Sequence, residues 1–164
     1  MRGTKAIVDL AAIRHNVACV RELVGGGVKI AAVVKADGYG HGLVPVSRAA
    51  LQGGADLLAV ALLEEGIELR GAGISAPVMV LEAFRSDEAH LFVEHDLIPV
   101  VFTMGVVKAL AREAGAKGKK AKVHIKLDTG MSRAGVSYRE AVKFVRSVLE
   151  IPEVEIEGIG TLSN

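Results

Sequence analysis

Two short stretches of this chain hold residue types suited to carbonyl and proton chemistry. In the first, Ala31-Ala32-Val33-Val34-Lys35-Ala36-Asp37-Gly38-Tyr39-Gly40-His41-Gly42, a lysine ends an apolar run of strand length. Sheets of α/β proteins keep their ligand sites at the carboxyl edge of the strands, which is where Lys35 falls. Partial desolvation there disfavours an ammonium and leaves an amine free to attack a carbonyl, the chemistry of a Schiff base. The alternative reading is a lysine whose stem lies along the strand while its head reaches water. Gly38, Gly40 and Gly42 alternate with Tyr39 and His41, so the backbone can approach a ligand closely and a phenol can donate to a phosphate. His41 is read as orienting this loop, not as a metal ligand.

The second stretch is His124-Ile125-Lys126-Leu127-Asp128-Thr129-Gly130-Met131-Ser132-Arg133-Ala134-Gly135. Strand alternation puts His124, Lys126 and Asp128 on one face and Val123, Ile125 and Leu127 on the other. Charged groups on an inward face are costly unless paired or used. Lys126 and Asp128 are therefore either a structural ion pair or part of a site, and both readings stand. Arg133, in a glycine-flanked loop past the strand, offers a planar fork for a carboxylate or oxyanion.

Apolar strand-length runs alternate with helical patterns along the whole chain, the signature of successive βα units on a parallel sheet. Strands are expected at 29–34, 57–61, 77–81, 98–102, 122–127 and 154–160, the first of them buried on both faces. Asp9 is placed to N-cap a helix with apolar positions Leu10, Ile13, Val17 and Val20, ended by Gly25-Gly26-Gly27. Further helices are expected at 44–51, 64–70, 87–94, 106–114 and 138–149, with a loop at 38–42. That makes about six strands, whereas a closed βα barrel has eight and typically about 250 residues. The fold class is thus α/β, either an open doubly wound sheet or a (β/α)8 barrel of the TIM type left incomplete.

Composition narrows the function classes. The 164 residues suffice for one domain with its own core, and 51% hydrophobic with 24% charged content argues for packing over disorder. Aromatics at 4%, no Trp and a net charge of +1 leave neither stacking platforms nor a basic field, so nucleic acid is not the expected partner. The basic run 117–120 reads as a solvated turn. One cysteine, Cys19, gives neither a disulfide nor a metal quartet and is expected to be a small core residue. Asp9 interrupts the apolar Ile7-Val8 start before a signal-peptide core forms, and no window reaches the roughly 18 apolar residues of a membrane helix. The expectation is a cytoplasmic protein away from the membrane.

The block 34–42 resembles the cofactor-lysine signature of alanine racemases, and Lys126-Leu127-Asp128-Thr129-Gly130-Met131-Ser132-Arg133 resembles a second signature of that family. Val8-Asp9-Leu10-Ala11-Ala12-Ile13-Arg14-His15-Asn16 is similar to its amino-terminal entry, and Leu63-Glu64-Glu65-Gly66-Ile67-Glu68-Leu69-Arg70 to a further stretch. The resemblance implies an amino-terminal, partial TIM-barrel domain over 1–164 that binds pyridoxal 5′-phosphate. It implies that Lys35 forms the internal aldimine and serves as one of two catalytic bases. Tyr39 would contact the cofactor phosphate, and Arg133 would lie near the cofactor phenolic oxygen and the substrate carboxylate. Lys126 matches a lysine that is carbamylated in some members and steadies that arginine. The implied substrate is a small amino acid, with L- and D-alanine interconverted to supply peptidoglycan, and the implied assembly is a homodimer.

Members of the family continue into further barrel units and a carboxy-terminal β domain. That region carries the opposing tyrosine base, contributed by the partner subunit, and an arginine at the pyridine nitrogen. The expectation is that this β domain is absent here and that strand edges and apolar faces are left open. Leu162 follows Thr161 where the family shows Thr-His. Beside a racemase, the residues therefore leave a non-catalytic pyridoxal phosphate binder, or an inactive remnant, as alternatives.

Overall fold

The computed structural model describes residues 3–161; Leu162, the expected departure from the family pattern, lies outside them. Strands pair in parallel and alternate with helices, as the α/β reading expects, and the chain forms two compact units, Met1–Val78 and Met79–Asn164.

In the first unit Asp9 Oδ1 accepts the amides of Ala11 at 2.9 Å and Ala12 at 3.1 Å, capping α1 (Leu10–Val24) as its position predicts. Gly25, at φ 72°, closes the helix by donating to the Arg21 carbonyl. Strand β1 (Ala31–Val33) leads to a turn α2 (Lys35–Gly40) and helix α3 (Leu43–Gln52). Strand β2 (Leu57–Val60) then pairs in parallel with β1, Ala31 opposite Leu57 through Val33 opposite Ala59, and leads into α4 (Leu63–Gly71). Val34, Leu43, Val46, Leu58, Val60, Leu63 and Leu69 make the core of this unit.

Arg21 ties the end of α1 to this sheet. It donates to the carbonyls of Gly25, Val28 and Gly54 and forms an ion pair with Asp56. Asp56 also accepts the Ile30 amide at 2.7 Å just before β1. That amide first, and Arg21 besides, hold Asp56 below the ordinary carboxylate range despite partial desolvation.

Three expectations are corrected. The strand foreseen over 29–34 is only three residues long, and it is not buried on both faces: Ala31 is exposed and Val33 is 44% exposed. Among the described residues β1 has one strand neighbour, β2, and so stands at the edge of the sheet. Cys19 is exposed, not core; α1 has no buried residue at all, and the thiol lies 3.5 Å from His15 Nε2 one helical turn away.

The third concerns the second unit. The helix foreseen at 138–149 starts later, as α7 (Ala141–Leu149), because Val136–Ser137 forms a two-residue strand β6 and a turn follows. With β6 the described residues hold seven strands, one more than the sequence pattern counts.

Strand β3 (Val78–Val80) pairs with β4 (Ile98–Val101), β4 with β5 (Ala121–Asp128), and β5 with both β6 and β7 (Val154–Thr161), all in parallel. A 3-10 turn and α5 (Ala89–Glu94) precede β4, and α6 (Met104–Ala116) precedes β5. Val123 and Ile125 are fully buried with Phe92, Val107 and Leu110, while His124, Lys126 and Asp128 are half-buried, the alternation the sequence predicts. Leu127 is also only half-buried.

The pairing of β5 with β7 shifts register between Val123, opposite Ile156, and His124, opposite Gly158. Glu157 is the extra residue, a β-bulge. Its carboxylate lies 3.4 Å from Lys122 Nζ and 3.8 Å from His124 Nε2, and the imidazole rests on the bare backbone of Gly158, where a Cβ would come within 2.6 Å of the ring.

The seam between α1 and α3 depends on one absent side chain. A Cβ on Gly53 would stand 2.5 Å from the Arg14 carbonyl oxygen and 2.9 Å from Val17 Cβ, so Gly53→Ala must push α1 outward. The expected cost is about 1–3 kcal/mol, read as a lower urea midpoint at unchanged slope. A midpoint equal to that of the unaltered chain would show that α1 is free to move.

Candidate active site

In the first unit the candidate residues sit on one turn directly after β1. The Val34 amide still follows the strand ladder, donating to the Ala59 carbonyl at 2.8 Å. The chain then leaves the sheet at Lys35, which is half-buried and whose side chain has no hydrogen bond or ion pair among the described residues. Among these residues no carboxylate neutralises the amine. Its surroundings are more open than the dry strand tip foreseen from sequence, since Ala36 next to it is exposed.

The expected loop at 38–42 is instead the end of a left-handed helical turn. Ala36, Asp37, Gly38 and Tyr39 have φ of 52°, 54°, 62° and 55°, with ψ between 36° and 54°. L-residues in this conformation set Cβ against the following carbonyl, at about 1–2 kcal/mol each, and runs of them are rare. Three of the four are not glycine. Backbone held this way belongs to sites where surrounding structure over-determines it.

Four contacts do so here. The Gly38 amide donates to the Val34 carbonyl and the Gly42 amide to the Asp37 carbonyl, both at 2.8 Å. Asp37 Oδ1 accepts the Leu43 amide at 2.7 Å, satisfying the first turn of α3. The Ala36 amide donates to Glu65 Oε1 at 2.6 Å, while Glu65 Oε2 takes the amides of Ala61 and Leu62 at 2.8 and 3.0 Å. Glycine at 38 also suits the packing, because a Cβ there would press on the Val46 side chain at 3.1 Å.

The turn projects its side chains outward. Tyr39 is 59% exposed, and His41 Nδ1 lies 3.0 Å from the Gly38 carbonyl, so the imidazole braces the turn that carries Lys35 and Tyr39.

In the second unit Lys126 and Asp128 lie near the carboxyl end of β5. No ion pair joins them: Asp128 Oδ1 instead accepts the amides of Gly130 at 3.0 Å and Ser132 at 2.9 Å. The Ser132 and Gly130 bonds, with a smaller field from Lys126, hold the Asp128 carboxyl below its ordinary range against partial desolvation. The loop so formed bends through Gly130, Ser132 at φ 54° and Gly135 at φ 140°. Gly135 returns against the strand end, where a Cβ would lie 2.7 Å from the Asp128 nitrogen. Arg133 rides on this loop, exposed and with no partner among the described residues. Thr129 and Thr161 share a 2.7 Å hydroxyl contact at the ends of β5 and β7.

The first unit thus carries Lys35, Tyr39 and His41 on one turn, and the second carries Lys126 on β5 and Arg133 on the loop that follows it. Sequence reasoning missed the parts played by Glu65, Asp37 and Asp128, which accept backbone amides. One signal was available: Glu65 stands three residues after Leu62 at the head of a helical pattern, where a glutamate reaches back to the chain.

Comparison with known proteins shows the family. The sequence model of the family "Alanine racemase, N-terminal domain" matches residues 8–162. An alanine racemase of Halothermothrix orenii is 45% identical over 160 residues, 98% of this chain and 42% of that protein. One from Methanococcus maripaludis is 40% identical over 157 residues, 95% of this chain and 42% of that protein. The solved alanine racemase of Clostridium difficile superposes with a TM-score of 0.87 over 96% of this chain and 41% of its own, at 30% identity. That of Bacillus anthracis, described with bound L-Ala-P, gives 0.84 over 94% of this chain and 40% of its own, at 40% identity. The chain spans about 42% of the length of the curated relatives it matches. Motif, strand-end geometry and superposition agree, and the chain belongs to the family of alanine racemase amino-terminal domains.

Proposed function

We propose that residues 1–164 act as the pyridoxal-phosphate-binding, amino-terminal domain of an alanine racemase that interconverts L- and D-alanine. The observation that carries this reading is the unpaired Lys35 amine at the end of β1, presented by a turn held in a costly left-handed form. The donor set fits the cofactor: a primary amine for its aldehyde on Lys35 and an exposed phenol for its phosphate four residues on at Tyr39. When bound, pyridoxal phosphate supplies the electron sink that makes an amino acid's α-proton removable.

The chain's own residues do the rest. Lys35 Nζ holds or moves a proton on one face of the substrate, one of the two faces that racemisation requires. Tyr39 would hold the cofactor by offering its hydroxyl as a hydrogen-bond donor to the phosphate. His41 braces the turn from which both project. Arg133 presents its guanidinium fork to a carboxylate, and Lys126 lies on the strand that leads to its loop. We further assign the working assembly as a homodimer and its place as the cytoplasm, readings supported by the family resemblance.

Borohydride reduction after incubation with pyridoxal phosphate is expected to attach the cofactor to the peptide containing Lys35, and Lys35→Ala to abolish the attachment. Attachment undiminished in that variant would remove Lys35 from the role. Little or no D-alanine is expected from L-alanine with these residues alone, and substantial turnover dependent on Lys35 would put the second base among them.

For Arg133→Ala, the concentration of L-alanine needed to release cofactor from Lys35 is expected to rise about tenfold or more, the worth of a charge-assisted bond to a carboxylate. An unchanged concentration would count against the assignment. The Arg133 loop should also respond to acid. Asp128 titrates below its ordinary 3.8, so its hold on the loop is complete above that value and lost as pH falls through the lower, folded one. Slowed exchange of the Gly130 and Ser132 amides, corrected for the intrinsic pH dependence, should therefore persist above about pH 4 and disappear in stronger acid.

A further inference from the structure

Glu65 lies 29 residues beyond Ala36 in the chain, yet its carboxylate joins two segments. Oε2 serves the head of α4, accepting from Ala61 and Leu62. Oε1 reaches across to the Ala36 amide at 2.6 Å, the shortest of the three bonds. Ala36 is the first left-handed residue of the turn and carries a Cβ, so it bears the strain of that conformation where the chain enters it. It is also the residue directly after Lys35, so the peptide that Glu65 grips sets the direction in which the Lys35 side chain leaves the backbone.

We propose that Glu65 is a positioning residue for Lys35: by accepting the Ala36 amide it keeps the turn left-handed and fixes where the amine points. The proposal rests on the reading of Lys35 as the cofactor lysine. Ordinary helix capping does not explain the geometry, because the cap uses Oε2 alone and Oε1 is spent on a different segment. Neutral backbone acceptors do not supply this contact; a carboxylate with two oxygens on opposite sides does.

Two variants separate positioning from capping. Glutamine at the third position of a helix still reaches back to the cap, so Glu65→Gln keeps one carbonyl oxygen for Ala61 and Leu62 and turns an NH2 group, a donor, toward Ala36. Glu65→Ala loses both contacts. Two readouts are compared in the full chain: amide hydrogen exchange at Ala36, Ala61 and Leu62, and the rate of borohydride-trapped attachment of pyridoxal phosphate at Lys35.

The expected result for Glu65→Gln is Ala36 exchange and Lys35 attachment altered about tenfold or more, the first faster and the second slower, with Ala61 and Leu62 still protected. Glu65→Ala should show the same effect at Ala36 and also expose the α4 amides. A glutamine variant indistinguishable from the unaltered chain at Ala36, or at Lys35, overturns the proposal and leaves Glu65 a helix cap. Should the unaltered chain itself fail to attach the cofactor, the reading of Lys35 falls instead, and Ala36 exchange alone decides whether Glu65 holds the turn.

Discussion

A run of L-residues in the left-handed helical region is the constraint around which the first unit is organised. Ala36, Asp37 and Tyr39 each press a Cβ toward the next carbonyl, and only Gly38 is exempt. Local sequence does not hold such a turn, so its supports come from elsewhere. Glu65 on α4 takes the Ala36 amide, the head of α3 donates its Leu43 amide to Asp37, and Val46 closes the space a side chain on residue 38 would need. Two of these elements, α3 and α4, flank β2, the strand on which β1 is registered. The position of one amine is in this sense set by four elements at once.

The end of β5 is ordered by related means. A carboxylate, Asp128, again accepts backbone amides ahead of any ammonium, and a residue with a side chain, Ser132, again takes a positive φ. A glycine again sits where backbone comes too close for a Cβ. In both loops the acid organises the chain and leaves the cation, Lys35 or Arg133, without a partner among the described residues. That is an economical way to keep a cation available for a ligand: the negative charge is spent on amide donors, whose bonds also hold the carboxylate ionised in the case of Asp128.

Openness follows from the same architecture. Helix α1 has no fully buried residue, Val33 on β1 and Ile159 on β7 are about half exposed, and Cys19 faces outward. Partly buried Ile13 and Val17 are joined in holding α1 by polar and steric contacts: Arg21 on three carbonyls and Asp56, and the missing side chain of Gly53. An apolar helical pattern such as Leu10, Ile13, Val17 and Val20 announces a face that seeks cover, and says nothing about whether cover is present.

Much was legible in the residues themselves because it is a matter of local pattern. Asp9 and Gly25 delimit α1, the period of two in β5 separates Val123 and Ile125 from His124 and Lys126, and alternating runs give the parallel α/β class. The placement of Lys35 just past a strand is likewise written in the chain. The two-residue β6 and the three-residue β1 were not, since pairing with a neighbouring strand determines how far so short a segment extends. Nor was the handedness of the Lys35 turn, or the choice of Asp128 for amides over Lys126. These depend on which donors and acceptors meet across tens of residues, as Glu65 meets Ala36, and that is decided by packing in three dimensions and not by spacing along the chain.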